Sequence, residues 1–88
     1  MTITAAYTPP RSSLEAELVE LWQEVLDLDL IGIHDPFLEL GGESITALQV
    51  HNRVVERFEV ELPVSELFDA STVAELATAI SRYKPVEL

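Results

Sequence analysis

Gly41-Gly42-Glu43-Ser44 runs into an apolar-periodic stretch, Ile45 to Phe58, which puts a serine hydroxyl at the start of an expected helix. The paired glycines let the backbone take positive φ angles and keep bulk away from the hydroxyl. The first turn of a helix has N–H groups without intrahelical partners and the positive end of the helix dipole, so an incoming phosphate is favoured there. A phosphodiester on Ser44 suits that position. The plainer role for such a serine is a helix cap, whose hydroxyl only accepts a hydrogen bond from the first turn.

Other chemistries find little support in the remaining residues. Gly42-Glu43-Ser44-Ile45-Thr46 begins like the G-x-S-x-G nucleophile elbow, but Thr46 stands where the last glycine belongs and no parallel-strand context precedes it. His34 and His51 are the only histidines, and neither belongs to a metal-ligand cluster. Asp27 and Asp29 imitate the opening of a calcium-binding EF-hand loop, yet Ile31 falls at the next ligand position. The absence of cysteine removes disulfides, thiolate metal sites and a cysteine nucleophile together, so a functional thiol has to come from a cofactor. A self-sufficient hydrolase also needs a positioned base and an enclosed site, and an autonomous enzyme is not expected.

The elements that must position Ser44 read as helices within one small domain. A chain of 88 residues has room for a single core, and domains of this size bury only about 60% of their unfolded surface. Residues 1–11, with Tyr7-Thr8-Pro9-Pro10-Arg11, lack an amphipathic period and read as a flexible linker. Ser12-Ser13-Leu14-Glu15 fits a capping box that opens a first helix ending near Leu28. Leu14, Leu18, Leu21, Trp22 and Val25 form its inward stripe, with Trp22 in the core. The connection from Asp29 to Glu43 is long, but Leu30, Ile31, Ile33, Phe37 and Leu40 imply that it packs onto the bundle.

On the second helix, Ser44 to Phe58, the inner face takes Ala47, His51, Val54, Val55 and Phe58, with His51 as a satisfied core-edge histidine. Ile45 falls opposite, among Gln49, Asn52 and Glu56, where the core does not claim it and a partner protein can. Glu59 to Pro63 reads as an extended connector, and Pro63 as the first residue of a short helix through Phe68. A second capping box, Thr72 to Glu75, opens the last helix, whose buried stripe is Val73, Leu76, Ala77 and Ile80. Arg82 and Lys84 complement its negative end, and Pro85 stops it. The expected architecture is all-α, a small four-helix bundle of three main helices and one short one. It occupies residues 12–84, followed by a tail at 85–88.

A formal net charge of -11, from 16 acidic against 5 basic residues, opposes binding to nucleic acid. The same field either speeds encounter with basic protein surfaces or serves solubility alone. No apolar run reaches the ~20 residues of a membrane span, and the start of the chain lacks the positive charge of a signal peptide. A cytoplasmic monomer with no membrane contact is expected.

Asp35-Pro36-Phe37-Leu38-Glu39-Leu40-Gly41-Gly42-Glu43-Ser44-Ile45 resembles the D-x-F-F-x-L-G-G-[HD]-S-[LI] signature of peptidyl carrier proteins, the thiolation domains of nonribosomal peptide synthetases. The resemblance runs from Arg11 to Tyr83. It includes Leu21-Trp22-Gln23-Glu24-Val25-Leu26, Ile31-Gly32-Ile33, Ala47, Arg53, Val60-Glu61-Leu62-Pro63, Leu67-Phe68 and Thr72-Val73-Ala74-x-Leu76-Ala77. Glu43 replaces the usual His or Asp, Leu38 the second Phe, and Glu59 a Gly, departures that bear on partner choice more than on attachment.

The resemblance implies a fold of the acyl carrier protein type. It also implies that Ser44 carries 4′-phosphopantetheine, delivered from coenzyme A by a phosphopantetheinyl transferase. The arm's thiol would then hold aminoacyl or peptidyl thioesters for adenylation, condensation and thioesterase domains. Gly42, Glu43, Ile45, Gln49, Val64 and Leu67 would make the transient contacts with those partners. A polyketide acyl carrier, an aryl carrier, or a non-covalent acidic docking module in which Ser44 merely caps its helix are the alternatives.

Overall fold

Ser12 opens helix α1 (Ser13–Leu26): its Oγ accepts the Glu15 N–H at 3.2 Å. The computed structural model describes residues 7–83, so residues 1–6 and 84–88, and with them the roles expected of Lys84 and Pro85, lie outside it. Helices α2 (Ser44–Phe58), α3 (Val64–Asp69) and α4 (Val73–Arg82) follow, with one 3-10 turn at Leu38–Leu40. Among the described residues there is no strand, and the all-α bundle of three main helices and a short one is as expected. Helix α1 packs across α2 and α4, while α3 fills the corner between those two.

Several boundaries differ from expectation for identifiable reasons. Helix α1 stops at Leu26, short of Leu28, because Asp27 turns left-handed (φ 59°) and the N–H groups of Asp27 and Leu28 both close on the Gln23 carbonyl. Helix α2 ends the same way on Glu59, at φ 54°. Pro63 is the cap of α3, at φ -61° and ψ 143°, and not its first helical residue. In both capping boxes the glutamate reaches past the cap to the residue before it. Glu15 accepts the Arg11 N–H at 2.7 Å, and Glu75 accepts the Ser71 N–H at 2.8 Å. In each case that earlier residue brings a second donor, the Arg11 guanidinium or the Ser71 hydroxyl, which draws the carboxylate further back.

Leu18, Trp22, Ile31, Ile33, Val54 and Leu76 are each no more than 1% exposed and form the centre of the core. Burying side chains of this size contributes about 1.5–3 kcal/mol apiece as an upper bound. The Trp22 ring meets Phe37 edge-on, with centroids 4.9 Å apart and planes at 70°. Its indole N–H is buried without a partner among the described residues. Val50, absent from the face expected for α2, is also buried.

The long connection lies against the bundle as anticipated, apart from Leu30, which is 64% exposed. Along an extended segment side chains alternate, so Ile31 and Ile33 turn inward and Leu30 must turn out. Backbone hydrogen bonds fasten the segment: Ala74 N–H to the Ile33 carbonyl at 3.0 Å, Phe37 N–H to the Ser71 carbonyl at 2.7 Å, and Ile33 N–H to the Thr8 carbonyl at 3.0 Å. The last of these ties residues 7–11, which carry no helix, onto the body of the fold. On the other side His51 donates from Nε2 to the Leu62 carbonyl at 2.6 Å, which pins the 59–63 connector; His51 is the satisfied core-edge histidine expected.

Candidate functional site

The path into Ser44 explains both glycines separately. Gly41 ends the 3-10 turn at φ 95°, a backbone region that side chains with a Cβ rarely adopt. Gly42 is needed for space, because a Cβ there would lie 2.2 Å from Cε2 of the Phe37 ring. The chain thus climbs over Phe37, whose carbonyl accepts the Gly42 N–H at 3.0 Å, and enters α2.

Ser44 is the first residue of α2 and is exposed, but it is not the cap. Glu43 takes that position with an extended backbone (φ -148°), and Thr46 secures it. The Thr46 hydroxyl accepts the Glu43 N–H at 2.7 Å and donates to the Glu43 carbonyl at 2.8 Å. Among the described residues no hydrogen bond engages the Ser44 hydroxyl, and the capping role considered for it is filled by its neighbour. The first turn still leaves outward N–H groups and the positive dipole end beside the free Oγ.

The residues expected to meet partners gather unevenly around it. Ile45 is 67% exposed, Val64 is 39% exposed, and Glu43 and Gln49 are also exposed, whereas Gly42 is half covered beneath Phe37. Leu67 is a correction: at 6% exposure it belongs to the core, and its neighbour Phe68, 52% exposed, presents the apolar surface instead. Leu38, the departure noted above, and Leu48 are also exposed apolar side chains, and Leu48 is an addition to the expected set. Leu48 follows Ile45 at helical spacing and was findable on the same wheel; a six-residue α3 gives too little periodicity to separate Leu67 from Phe68. Between the 3-10 turn, α2 and α3 lies a cleft of about 170 Å³ lined by Phe37, Leu38, Ala47, Leu67, Phe68 and Ala70, with Ser44 also on its wall.

The perturbed acids belong to the scaffold. Hydrogen bonds from Arg11 hold the Glu15 carboxyl below the usual carboxylate range, with burial opposing. The Ser71 N–H and hydroxyl do the same for Glu75, and the Glu66 carboxylate accepting from Tyr83 raises the phenol. No side-chain base hydrogen-bonds Ser44 Oγ among the described residues.

Comparison with known proteins agrees with this geometry. The family model described as "Phosphopantetheine attachment site" matches residues 16–80. Tyrocidine synthase 3 of Brevibacillus parabrevis is 49% identical over 82 residues, covering 93% of this chain but 1% of that protein. The chain therefore spans about a hundredth of the length of this curated relative. A peptidyl carrier protein solved in complex with the phosphopantetheine transferase Sfp and coenzyme A superposes with a TM-score of 0.82 at 36% identity, covering 86% of this chain and 99% of that one. The McyG A-PCP structure complexed with phenylalanyl-adenylate gives 0.79 at 40% identity, covering 82% of this chain and 11% of that one.

Proposed function

This chain belongs to the phosphopantetheine attachment-site family, and on that premise we propose that Ser44 is the attachment residue of a peptidyl carrier domain in a nonribosomal peptide synthetase. The observation that carries the assignment is the exposed Ser44 hydroxyl, left unengaged because Glu43, secured by Thr46, takes the cap position. The residues fit the 4′-phosphopantetheine group. The first turn of α2 would hold its phosphate on the N–H groups of Ser44 and Ile45, and Gly41 and Gly42 leave the approach open. When bound, the group supplies a terminal thiol that carries acyl units as thioesters. In the loading step the Ser44 Oγ–P bond forms, the pyrophosphate P–O bond of coenzyme A breaks, and 3′,5′-ADP leaves. The hydroxyl proton passes to a base of the transferase, whose Mg²⁺ neutralises charge.

A phosphopantetheinyl transferase loads the domain, and adenylation, condensation and thioesterase domains then exchange its cargo. The solved complexes of similar carriers support the transferase and the adenylation domain, and the identity to tyrocidine synthase 3 favours the peptidyl type over polyketide acyl or aryl carriers. Contacts with these partners use Glu43, Ile45, Leu48, Gln49, Val64 and Phe68, and are brief and salt-sensitive because one carrier visits several enzymes. No described helix is long and apolar enough to cross a membrane, and we place the domain in the cytoplasm as a monomer. Incubation with coenzyme A, Mg²⁺ and a promiscuous transferase should add one phosphopantetheine to the intact mass, and Ser44→Ala should abolish the gain. An unchanged wild-type mass, or a gain that survives Ser44→Ala, overturns the assignment.

A further inference from the structure

Helix α3 is too short to hold itself: six residues fall well below the ~12 that an isolated helix needs, so neighbouring elements must keep it formed. Leu67 is its one buried residue, and its cap Pro63 offers no side-chain hydrogen bond. A second attachment comes from the end of α4. The Tyr83 hydroxyl donates to Glu66 Oε2 at 3.0 Å, and Arg82 Nη1 lies 3.7 Å from Glu66 Oε1. The hydroxyl is the stronger partner, because its bond to a carboxylate is part-buried whereas the Arg82 side chain is 64% exposed and screened by solvent. Elsewhere the seam between the two helices is open, with a cleft of about 210 Å³ lined by Glu66, Asp69, Ala70, Glu75, Ala79 and Arg82. Residues advance about 100° apiece around a helix, so Glu66 and Leu67 fasten α3 at two bearings about 100° apart. Val64 and Phe68 share a face on the far side of Leu67 from Glu66. Held by Leu67 alone, the helix is free to roll about that anchor, and the bond to Glu66 stops it.

Resting on the reading of Val64 and Phe68 as partner contacts, we infer that Tyr83 and Glu66 are positioning residues for docking. The bond from Tyr83 sets the roll of α3, and with it the direction in which Val64 and Phe68 face. Both of those side chains are exposed, at 39% and 52%, so nothing in the core fixes their aim and the clasp on the opposite flank of the helix does so instead. The bond also raises the phenol, so the donated proton stays in place at neutral pH. Tyr83 is the C-cap of α4. The clasp therefore joins the end of the last helix to the face that meets partners, across 17 residues of sequence.

The test uses the whole chain as substrate of a promiscuous phosphopantetheinyl transferase with coenzyme A and Mg²⁺. Loading kinetics, intact mass and amide hydrogen exchange are recorded for each variant. Tyr83→Phe removes the hydroxyl and keeps the ring. It should raise KM for the carrier severalfold with kcat unchanged, because docking is lost and chemistry is not. Exchange should quicken severalfold at the amides of Leu67 to Ala70 and stay as in wild type along α1. Glu66→Gln keeps an acceptor for the phenol and should stay near wild type, whereas Glu66→Ala should match Tyr83→Phe. In a chain carrying both Val64→Ser and Phe68→Ser, at exposed positions that preserve the fold, adding Tyr83→Phe should leave kcat/KM unmoved, since the side chains it aims are gone. A wild-type KM in Tyr83→Phe, or an effect that multiplies in full in that doubly substituted background, overturns the positioning role while leaving the attachment reading in place. Faster exchange spread evenly over all four helices marks a bond that only stabilises the fold, and overturns it too. Absence of any mass gain in the wild-type chain refutes the attachment reading, and the positioning role falls with it.

Discussion

Gly42→Ala is the substitution whose effect the geometry fixes most tightly. The added Cβ would meet Phe37 Cε2 at 2.2 Å, Cδ2 at 2.3 Å and Cζ at 2.7 Å, three contacts on one ring. Ordinary carbon contacts begin at about 3.5 Å, so the ring must retreat by roughly 1.3 Å. It cannot swing freely, because its edge rests on Trp22 at 4.9 Å between centroids and the Phe37 amide is bonded to Ser71. Overpacking of this kind costs about 1–3 kcal/mol, and disrupting an aromatic pair adds about 0.5–1.5 kcal/mol, which together place the loss at about 3 kcal/mol. With a urea slope of about 1–1.5 kcal/mol/M for so small a domain, the midpoint should fall by about 2–3 M. Urea titration followed by the fluorescence of the single tryptophan, which sits against the displaced ring, reads both the stability and the local rearrangement. Phe37→Leu should be destabilising in the wild-type background yet much less so, or even stabilising, in Gly42→Ala. The same rescue should fail in Gly41→Ala, where the obstacle is the 95° φ and nothing lies within 4 Å of a Cβ. A loss below about 0.5 kcal/mol, or effects of Gly42→Ala and Phe37→Leu that add within about 0.5 kcal/mol, would refute the steric argument.

Thermal unfolding should separate the roles of two neighbouring hydroxyls: Thr46→Val loses about 1 kcal/mol of capping, whereas Ser44→Ala stays within about 0.5 kcal/mol of wild type, and equal losses would return the cap to Ser44. Glu59→Gly should stabilise the domain by up to about 1 kcal/mol in denaturant titration, because glycine accepts the left-handed φ of 54° that a glutamate resists; a destabilised variant would contradict this. Glu15 is held ionised by Arg11, so its folded pKa lies below its unfolded value, and the associated stability is fully present above the unfolded pKa of about 4.3 and lost as pH falls through the folded one. The stability difference between wild type and Glu15→Gln should accordingly be flat from about pH 6 to about pH 8 and shrink on acidification; a difference independent of pH would be inconsistent with that linkage.

The limits of what could be read from the chain follow from which interactions are local. Helix α2 was legible with its observed bounds, as were the exposure of Ile45 and the burial of Trp22, because one periodic stripe decides each. Glu43 is not legible as the cap, since propensity favours a serine and only coordinates reveal the Thr46 hydroxyl bonded twice to Glu43. Glu15 is buried at 6% exposure, which its charge argued against until the Arg11 contacts are seen. The left-handed caps at Asp27 and Glu59 carry no glycine to announce them. The cleft beside Ser44 depends on α3 meeting the 3-10 turn, a juxtaposition of segments far apart in sequence that no local pattern encodes.

The hydrogen bonds from Phe37 to Ser71 and from Ala74 to Ile33 join the approach to Ser44 to the entrance of the last helix. The ordering of the serine's threshold thus draws on residues synthesised after it. A chain truncated before α4 would keep every residue of the attachment motif and still lack the clasp that holds the motif's leading strand of backbone in place. If Ser44 is the attachment residue proposed above, damage at the far end of the chain should be felt as poor loading there.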